Sequence, residues 1–183
     1  MLRWLFGGRS RQATEVEEAD EYVEESRYLP DVPVAPQPLP VTGEFATATA
    51  SLAVFDPAAV DHRVDDDCDW WADPGDELEE LRARNLLIVG LVDDGGYKVE
   101  VTAEQVADAP VFSLRAPSGI IFVGPGEAVS GGGYQPDGSA SGYFISVDPG
   151  DYSVSVGWRG DFVHLGLVQG EAFENRAVEP VRL

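Results

Sequence analysis

The chain has 183 residues, 44% of them hydrophobic, and carries 33 acidic against 12 basic residues for a formal net charge of −21. This length and apolar fraction fit one globular domain with one core and a tail. The scarcity of Lys and Arg disfavours a nucleic-acid ligand, because phosphate binding depends on clustered basic side chains. Cys68 is the one cysteine, which excludes an intramolecular disulfide and favours a reducing compartment, so we expect a cytoplasmic protein.

Residues 1–44 are predicted to form a flexible, disordered tail. A weakly basic, aromatic tip is followed by the acidic run Glu15–Glu25 and by five prolines between positions 30 and 40. Prolines at this spacing favour extended chain over a packed element. The apolar stretch Leu2–Phe6 is too short for a signal peptide or a transmembrane helix. Its Trp4 and Phe6 are candidates for contact with a membrane or a larger assembly.

The folded domain is predicted to span residues 45–183 and to begin with one strand and one helix. Residues 46–55 alternate small apolar residues with Thr and Ser, which predicts a half-buried strand that Asp56 and Pro57 end. Residues 76–84 predict a short helix, because Asp76 and Glu79 make a capping box and arginines lie near its end.

The rest of the chain is predicted to be β-structure. Runs of strand length lie at residues 86–92, 97–101, 111–116, 119–124, 161–168 and 178–183, with two more within 142–158. The turn sequence DDGG predicts a hairpin between the first two runs, DPGD predicts one within 142–158, and Pro117-Ser118 places the third and fourth side by side. About eight strands with one short helix predict a single antiparallel β-sandwich or jelly roll.

A glycine-rich loop at residues 125–142 separates two of these strands. Its length without a regular pattern indicates function or mobility. Gly131–Gly133 lacks the lysine of a phosphate-binding loop. A flexible loop, or a mobile rim over a pocket, is expected instead.

The residues Asp61–Glu80, called the acidic segment below, hold ten carboxylates, one arginine and the adjacent Trp70 and Trp71. Mutual repulsion favours a solvated surface, a cation or a basic partner. On extended chain, adjacent side chains point to opposite sides, so we expect at least one indole in the core. The other is either exposed as an anchor for a basic partner or also packed in a structural role. The predicted partner-binding residues are Asp65, Asp66, Asp67, Asp69, Trp70, Trp71 and Asp73.

The same segment contains a weak calcium-loop pattern. Carboxylates occupy positions 1, 3, 5, 9 and 12 of an EF-hand-type loop, at Asp65, Asp67, Asp69, Asp73 and Asp76. Trp70 stands where that loop needs glycine, and Asp76 stands where it needs glutamate. Calcium is therefore the one cofactor candidate, and a solvated acidic loop is the alternative.

No catalytic residues are predicted. The two histidines lack the spacing of a zinc site, and no nucleophile has a base at a recognisable spacing. We therefore expect that the protein is not an enzyme.

Three blocks together carry a resemblance to known proteins: FDPAAVDHRVDDDCDWW, FVGPGEAVSGGG and GYFISVDPGDYSVSV, at residues 55–71, 122–133 and 142–156. Over about residues 45–168 the chain resembles small bacterial β-sandwich proteins that are similar to competence-associated nuclease inhibitors and to immunity proteins that neutralise toxins. The resemblance implies a non-enzymatic protein that binds a protein.

The sequence thus predicts an acidic interaction module that binds a basic protein, as an inhibitor or immunity factor. The alternative is a carbohydrate- or divalent-cation-binding jelly roll that uses the 125–142 loop and the acidic segment. A third hypothesis is an accessory structural protein tethered by its tail.

Overall fold

The computed structural model describes residues 35–137 and 141–183. The predictions for residues 1–34, including the contacts of Trp4 and Phe6, lie outside the described residues. Strand structure begins at Gln37, ahead of the domain boundary predicted at residue 45.

The described residues form eleven strands and one α-helix. In chain order they are β1 Gln37–Pro38, β2 Val41–Thr47, β3 Ser51–Phe55, α1 Pro74–Arg82, β4 Leu86–Gly90, β5 Gly95–Thr102, β6 Val111–Ala116, β7 Ile120–Pro125, β8 Tyr143–Ser146, β9 Gly150–Arg159, β10 Phe162–Gln169 and β11 Val181–Arg182. Within the described ranges, α1 is too short and too polar to cross a membrane.

The strands form two sheets, one of six strands in the order β1-β8-β7-β3-β4-β11 and one of five in the order β2-β5-β10-β9-β6. Most neighbours are antiparallel, but the pairs β1–β8, β5–β10 and β4–β11 are parallel. The mainly β, sandwich-like fold with one short helix is confirmed. The expectation of purely antiparallel pairing is wrong, because both sheets are mixed.

The main core draws on both sheets. Val54 and Val89 of the six-stranded sheet belong to the same buried cluster as Val99, Val156 and Leu165 of the five-stranded sheet. Each of these side chains is at most 1% exposed. Along β5 and β9 every second residue faces this core, with Val99 and Val101 on β5 and Val154 and Val156 on β9, as the period-2 geometry of a strand requires.

The predicted strand pairings are wrong. The chain passes from one sheet to the other between β4 and β5, between β6 and β7, and between β8 and β9, so none of these turns closes a hairpin. Residues 46–55 also divide, because a turn at Ala48–Ala50 sends β2 and β3 to different sheets. A tight turn of the kind predicted does join β9 and β10, through Gly160 at φ 62°.

The connection between β3 and β4 covers the outer face of the six-stranded sheet. On that face the ring of Phe122 packs against the rings of Phe55 and Phe144 in tilted pairs, with centroids 5.4 Å apart in each pair. Trp70 and Trp71 belong to the same buried cluster. The acidic segment is therefore a third layer fixed on the sandwich.

Helix α1 begins two residues before its predicted start. Asp73 is its N-cap, since its Oδ1 accepts hydrogen bonds from the amides of Gly75 and Asp76 at 2.7 and 3.4 Å. Pro74 occupies the first helical position, where its missing N–H costs nothing. Asp76 therefore lies in the first turn, where its negative charge interacts favourably with the helix dipole.

Candidate functional site

Both indoles of the acidic segment are buried. Trp70 is 6% exposed and Trp71 8%, and Trp70 Nε1 donates a hydrogen bond to the carbonyl oxygen of Ser130 at 2.7 Å. The alternative with one exposed indole is wrong because Trp70–Ala72 forms a 3₁₀ turn instead of extended chain. With three residues per turn, adjacent side chains diverge by about 120°, and both rings reach the sheet. The tryptophans anchor the segment.

Six aspartates of the segment face outward, away from the sheet. They line a groove of about 780 Å³ whose acidic residues are Asp65, Asp66, Asp67, Asp69, Asp73 and Asp76. We call this the acidic groove. It contains all five aspartates of the predicted partner-binding set, with Trp70 contributing to its lining. Trp71 is not among the lining residues.

Arg63 forms ion pairs with two aspartates of the groove and with the neighbouring Glu79. Arg63 Nη1 lies 3.1 Å from Asp66 and 3.4 Å from Asp76, while Nη2 lies 3.6 Å from Glu79. The guanidinium also lies 4.7 Å from the centroid of the Trp70 ring. It therefore links the start of the acidic segment to α1.

Four aspartates of the groove lack such a cation. Within residues 35–137 and 141–183, Asp65, Asp67, Asp69 and Asp73 form no ion pair, and all four are exposed. Exposed charges of one sign on one concave surface reinforce each other's potential. The groove is therefore a negative surface that its own protein neutralises only in part.

Arg63 is held from behind by a buried carboxylate. Glu80 is 2% exposed and accepts hydrogen bonds from Arg63 Nε at 2.8 Å, His62 Nε2 at 2.9 Å and Asn85 Nδ2 at 2.5 Å. Burial alone would raise the pKa of Glu80, but the donors from Asn85, Arg63 and His62 outweigh it and lower that pKa. Asn85 in turn accepts from Arg115 on β6. The sequence showed Glu80 as one more acid of the run and gave no sign of this role.

The glycine-rich loop is bound to the acidic segment. The amides of Gly132 and Gly133 donate to the carbonyl oxygens of Asp66 and Val64, each at 2.7 Å. Both glycines have positive φ, 62° and 79°, and a Cβ on Gly131 would come within 2.9 Å of the Asp67 carbonyl oxygen. Consecutive glycines allow this close backbone approach. The same three glycines had suggested a flexible loop from the sequence.

Two of the five predicted calcium ligands have partners within the protein, since Asp73 caps α1 and Asp76 pairs with Arg63. In the described part of the chain, no three Asp, Glu, His or Cys residues are arranged to hold a metal ion. Calcium binding stays a prediction.

Two solved structures are similar to this chain. The structure titled "Crocagin biosynthetic gene J" is similar at 16% identity with a TM-score of 0.46, over 72% of this chain and 96% of that chain. The structure titled "Crystal structure of ComJ, inhibitor of the DNA degrading activity of NucA, from Bacillus subtilis" is similar at 11% identity with a TM-score of 0.45, over 71% of this chain and 96% of that chain. The predicted resemblance to nuclease inhibitors is thereby confirmed. A comparison with curated proteins finds no match. Residues 40–183 match the model described as "Family of unknown function (DUF6386)", and the chain belongs to that family.

Proposed function

We propose that this protein is a non-enzymatic interaction module whose acidic groove binds a basic protein. The observation that carries the proposal is the set of four exposed aspartates, Asp65, Asp67, Asp69 and Asp73, on one concave surface without a counter-cation in the described residues. Lysines or arginines of a partner would supply the missing charge. Charge complementarity of this kind accelerates encounter and rejects acidic competitors.

The groove is also pre-organised. The indoles of Trp70 and Trp71 fix the segment to the sheet, and Arg63 joins the segment to α1. A partner therefore does not have to order the backbone of this surface when it binds, which reduces the entropic cost of association.

Inhibition or immunity is the role we propose for the complex, following the resemblance that the sequence carries. An enzyme that degrades nucleic acid must present basic side chains to phosphates. A row of carboxylates on a fixed surface can occupy such a site and exclude the substrate. The proposed partner class is thus a basic enzyme of this kind.

The test compares two triple variants with equal charge change. Asp65→Asn/Asp67→Asn/Asp69→Asn removes three groove charges, and Asp94→Asn/Glu171→Gln/Glu179→Gln removes three exposed charges elsewhere. Immobilised proteins are used to retain partners from a bacterial lysate at about 50 mM salt, where charges act over more than 10 Å. The association rate of the purified retained protein is then measured.

We expect the groove variant to lose about tenfold or more in association rate, and the matched variant less than twofold. Raising the salt should reduce the wild-type rate far more than the rate of the groove variant. If the two triple variants retain the same proteins at the same rates, the groove is not the binding surface and the proposal fails.

A further inference from the structure

The outer face of the six-stranded sheet is left partly uncovered at its β7–β8 margin. There Ile120 is 37% exposed and Phe144 9%, and a pocket of about 510 Å³ opens beside them with Pro57 on its wall. This volume lies in the range of about 300–1,000 Å³ typical of binding pockets. We call it the β7–β8 pocket.

The rim of this pocket carries two adjacent hydrogen-bond acceptors. Gln135 Nε2 donates to Asp61 Oδ1 at 2.9 Å. Among the described residues Asp61 Oδ2 and Gln135 Oε1 have no further hydrogen-bond partner, so both can accept from a ligand. Asp61 is exposed and forms no ion pair within residues 35–137 and 141–183. An acidic rim above an apolar wall is the chemistry that an amphipathic cation fits.

The wall opposite the rim is rigid. Ser118 is held by Asp56, which is fully buried and accepts hydrogen bonds from the Ser118 amide at 2.7 Å and from its hydroxyl at 2.7 and 2.8 Å. Because those bonds fix the turn that leads into β7, the position of Ile120 is fixed as well. The pocket exists before a ligand arrives.

We propose that the β7–β8 pocket receives an arginine side chain of the basic partner, an inference that rests on the proposed function. The aliphatic stem of arginine would lie on Ile120, Phe144 and Pro57. Its planar guanidinium presents several N–H donors in a fixed fork, and these match the two neighbouring acceptors on Asp61 and Gln135. A lysine ammonium is a single point charge and uses such a pair of acceptors less well.

The pocket complements the acidic groove. Six of the nine residues that line the groove are aspartates, and their charges attract cations at a distance. The pocket adds apolar contact that salt does not screen. A partner arginine that is buried in a pocket is a typical binding hot spot. Binding should therefore retain a salt-resistant component after the groove charges are removed.

The test uses small probes and nuclear magnetic resonance of the full-length protein. n-Butylguanidinium has both the aliphatic chain and the guanidinium group of arginine, and guanidinium has the cationic group alone. n-Butylammonium has the same chain with the ammonium group of lysine. Shifts of the Gln135 side-chain amide and the Ile120 methyl groups report occupancy. We expect n-butylguanidinium to bind about tenfold more tightly than either other probe, and Asp61→Asn or Ile120→Ala to weaken it several-fold.

The groove variant separates this inference from the proposed function, because it removes groove charges and leaves the β7–β8 pocket unchanged. The groove variant Asp65→Asn/Asp67→Asn/Asp69→Asn should bind n-butylguanidinium at Gln135 and Ile120 as the wild type does. Equal binding of all three probes, or binding unchanged by Asp61→Asn, would overturn the arginine pocket while leaving the groove proposal standing. If the groove variant fails to bind n-butylguanidinium at Gln135 and Ile120, the pocket is not an independent site and the inference is overturned.

Discussion

Replacement of Glu80 tests the claim that one buried carboxylate holds the acidic segment in place. Glu80→Gln keeps the shape of the side chain but removes its charge and turns an NH₂ group toward donors. Hydrogen bonds to charged groups contribute about 1.5–3 kcal/mol each, and breaking a buried ion pair costs about 3–5 kcal/mol. Three donors converge on Glu80 at 2% exposure. We expect a loss of about 3 kcal/mol in the free energy of unfolding.

The neighbouring Glu79→Gln is the matched control. Glu79 faces the same Arg63 guanidinium at 3.6 Å, but its side chain is 72% exposed. Exposed pairs contribute about 0–1 kcal/mol, so this variant should differ little from wild type. Urea unfolding followed by tryptophan fluorescence measures both, because Trp70 and Trp71 lie beneath the segment. A loss of about 3 kcal/mol corresponds to a melting temperature lower by roughly 6–12 °C.

The pH dependence supplies a second criterion. Because the folded-state pKa of Glu80 is lowered from its ordinary 4.5, its ionised form contributes stability above that value, and the contribution is lost as pH falls through the folded pKa. The difference between wild type and Glu80→Gln should therefore be full at pH 7 and shrink in acid. A difference below about 1 kcal/mol at pH 7, or one that is constant into acid, would refute the role assigned to Glu80.

Four further variants have distinct expected outcomes. Burial raises the pKa of Glu77 from its ordinary 4.5, so its ionised form lowers the free energy of unfolding at neutral pH. Glu77→Gln should therefore raise the melting temperature measured by calorimetry by roughly 2 °C at pH 7. This gain should disappear at a pH below the ordinary pKa of glutamate. Gly132→Ala should cost about 2 kcal/mol, against about 1 kcal/mol for Gly133→Ala. Both glycines have positive φ, but only the first would place its Cβ 3.1 Å from Cys68, and equal losses in urea unfolding would contradict that contact. Asn175→Ala should cost about 3 kcal/mol by the same method, because this residue is 4% exposed and its amide makes three hydrogen bonds to main-chain atoms.

Local sequence signals identified the strands more reliably than their partners. Asp93-Asp94 and Asp148-Pro149 lie between strands as predicted, but the glycines that follow them already belong to β5 and β9. The alternation of β5 and β9 marks an inner face, but an inner face looks the same in either sheet of a sandwich. The sheet that a strand joins depends on packing across the core, which the residues of a single turn do not encode.

The sequence likewise predicted some features of the candidate site and not others. The density of carboxylates correctly predicts an outward-facing surface, since the repulsion between them does not depend on the fold. The orientation of Trp70 and Trp71 depends on whether the chain is extended or forms a 3₁₀ turn, and nothing in the two residues themselves distinguishes these cases. The links from Glu80 to Asn85 and from Gly132 to Asp66 depend on tertiary contact alone.

The charge that the acidic groove presents is smaller than the composition of the acidic segment suggests. Glu77 and Glu80 are buried, so their charges do not reach the surface. Asp66, Asp76 and Glu79 share the guanidinium of Arg63. The sequence places ten carboxylates in the segment, but the unpaired charge on the groove comes from four of them. Because those four are held on a surface that the buried indoles and Arg63 fix, we expect a flexible acidic peptide of equal charge to bind the proposed basic partner more weakly than the groove does.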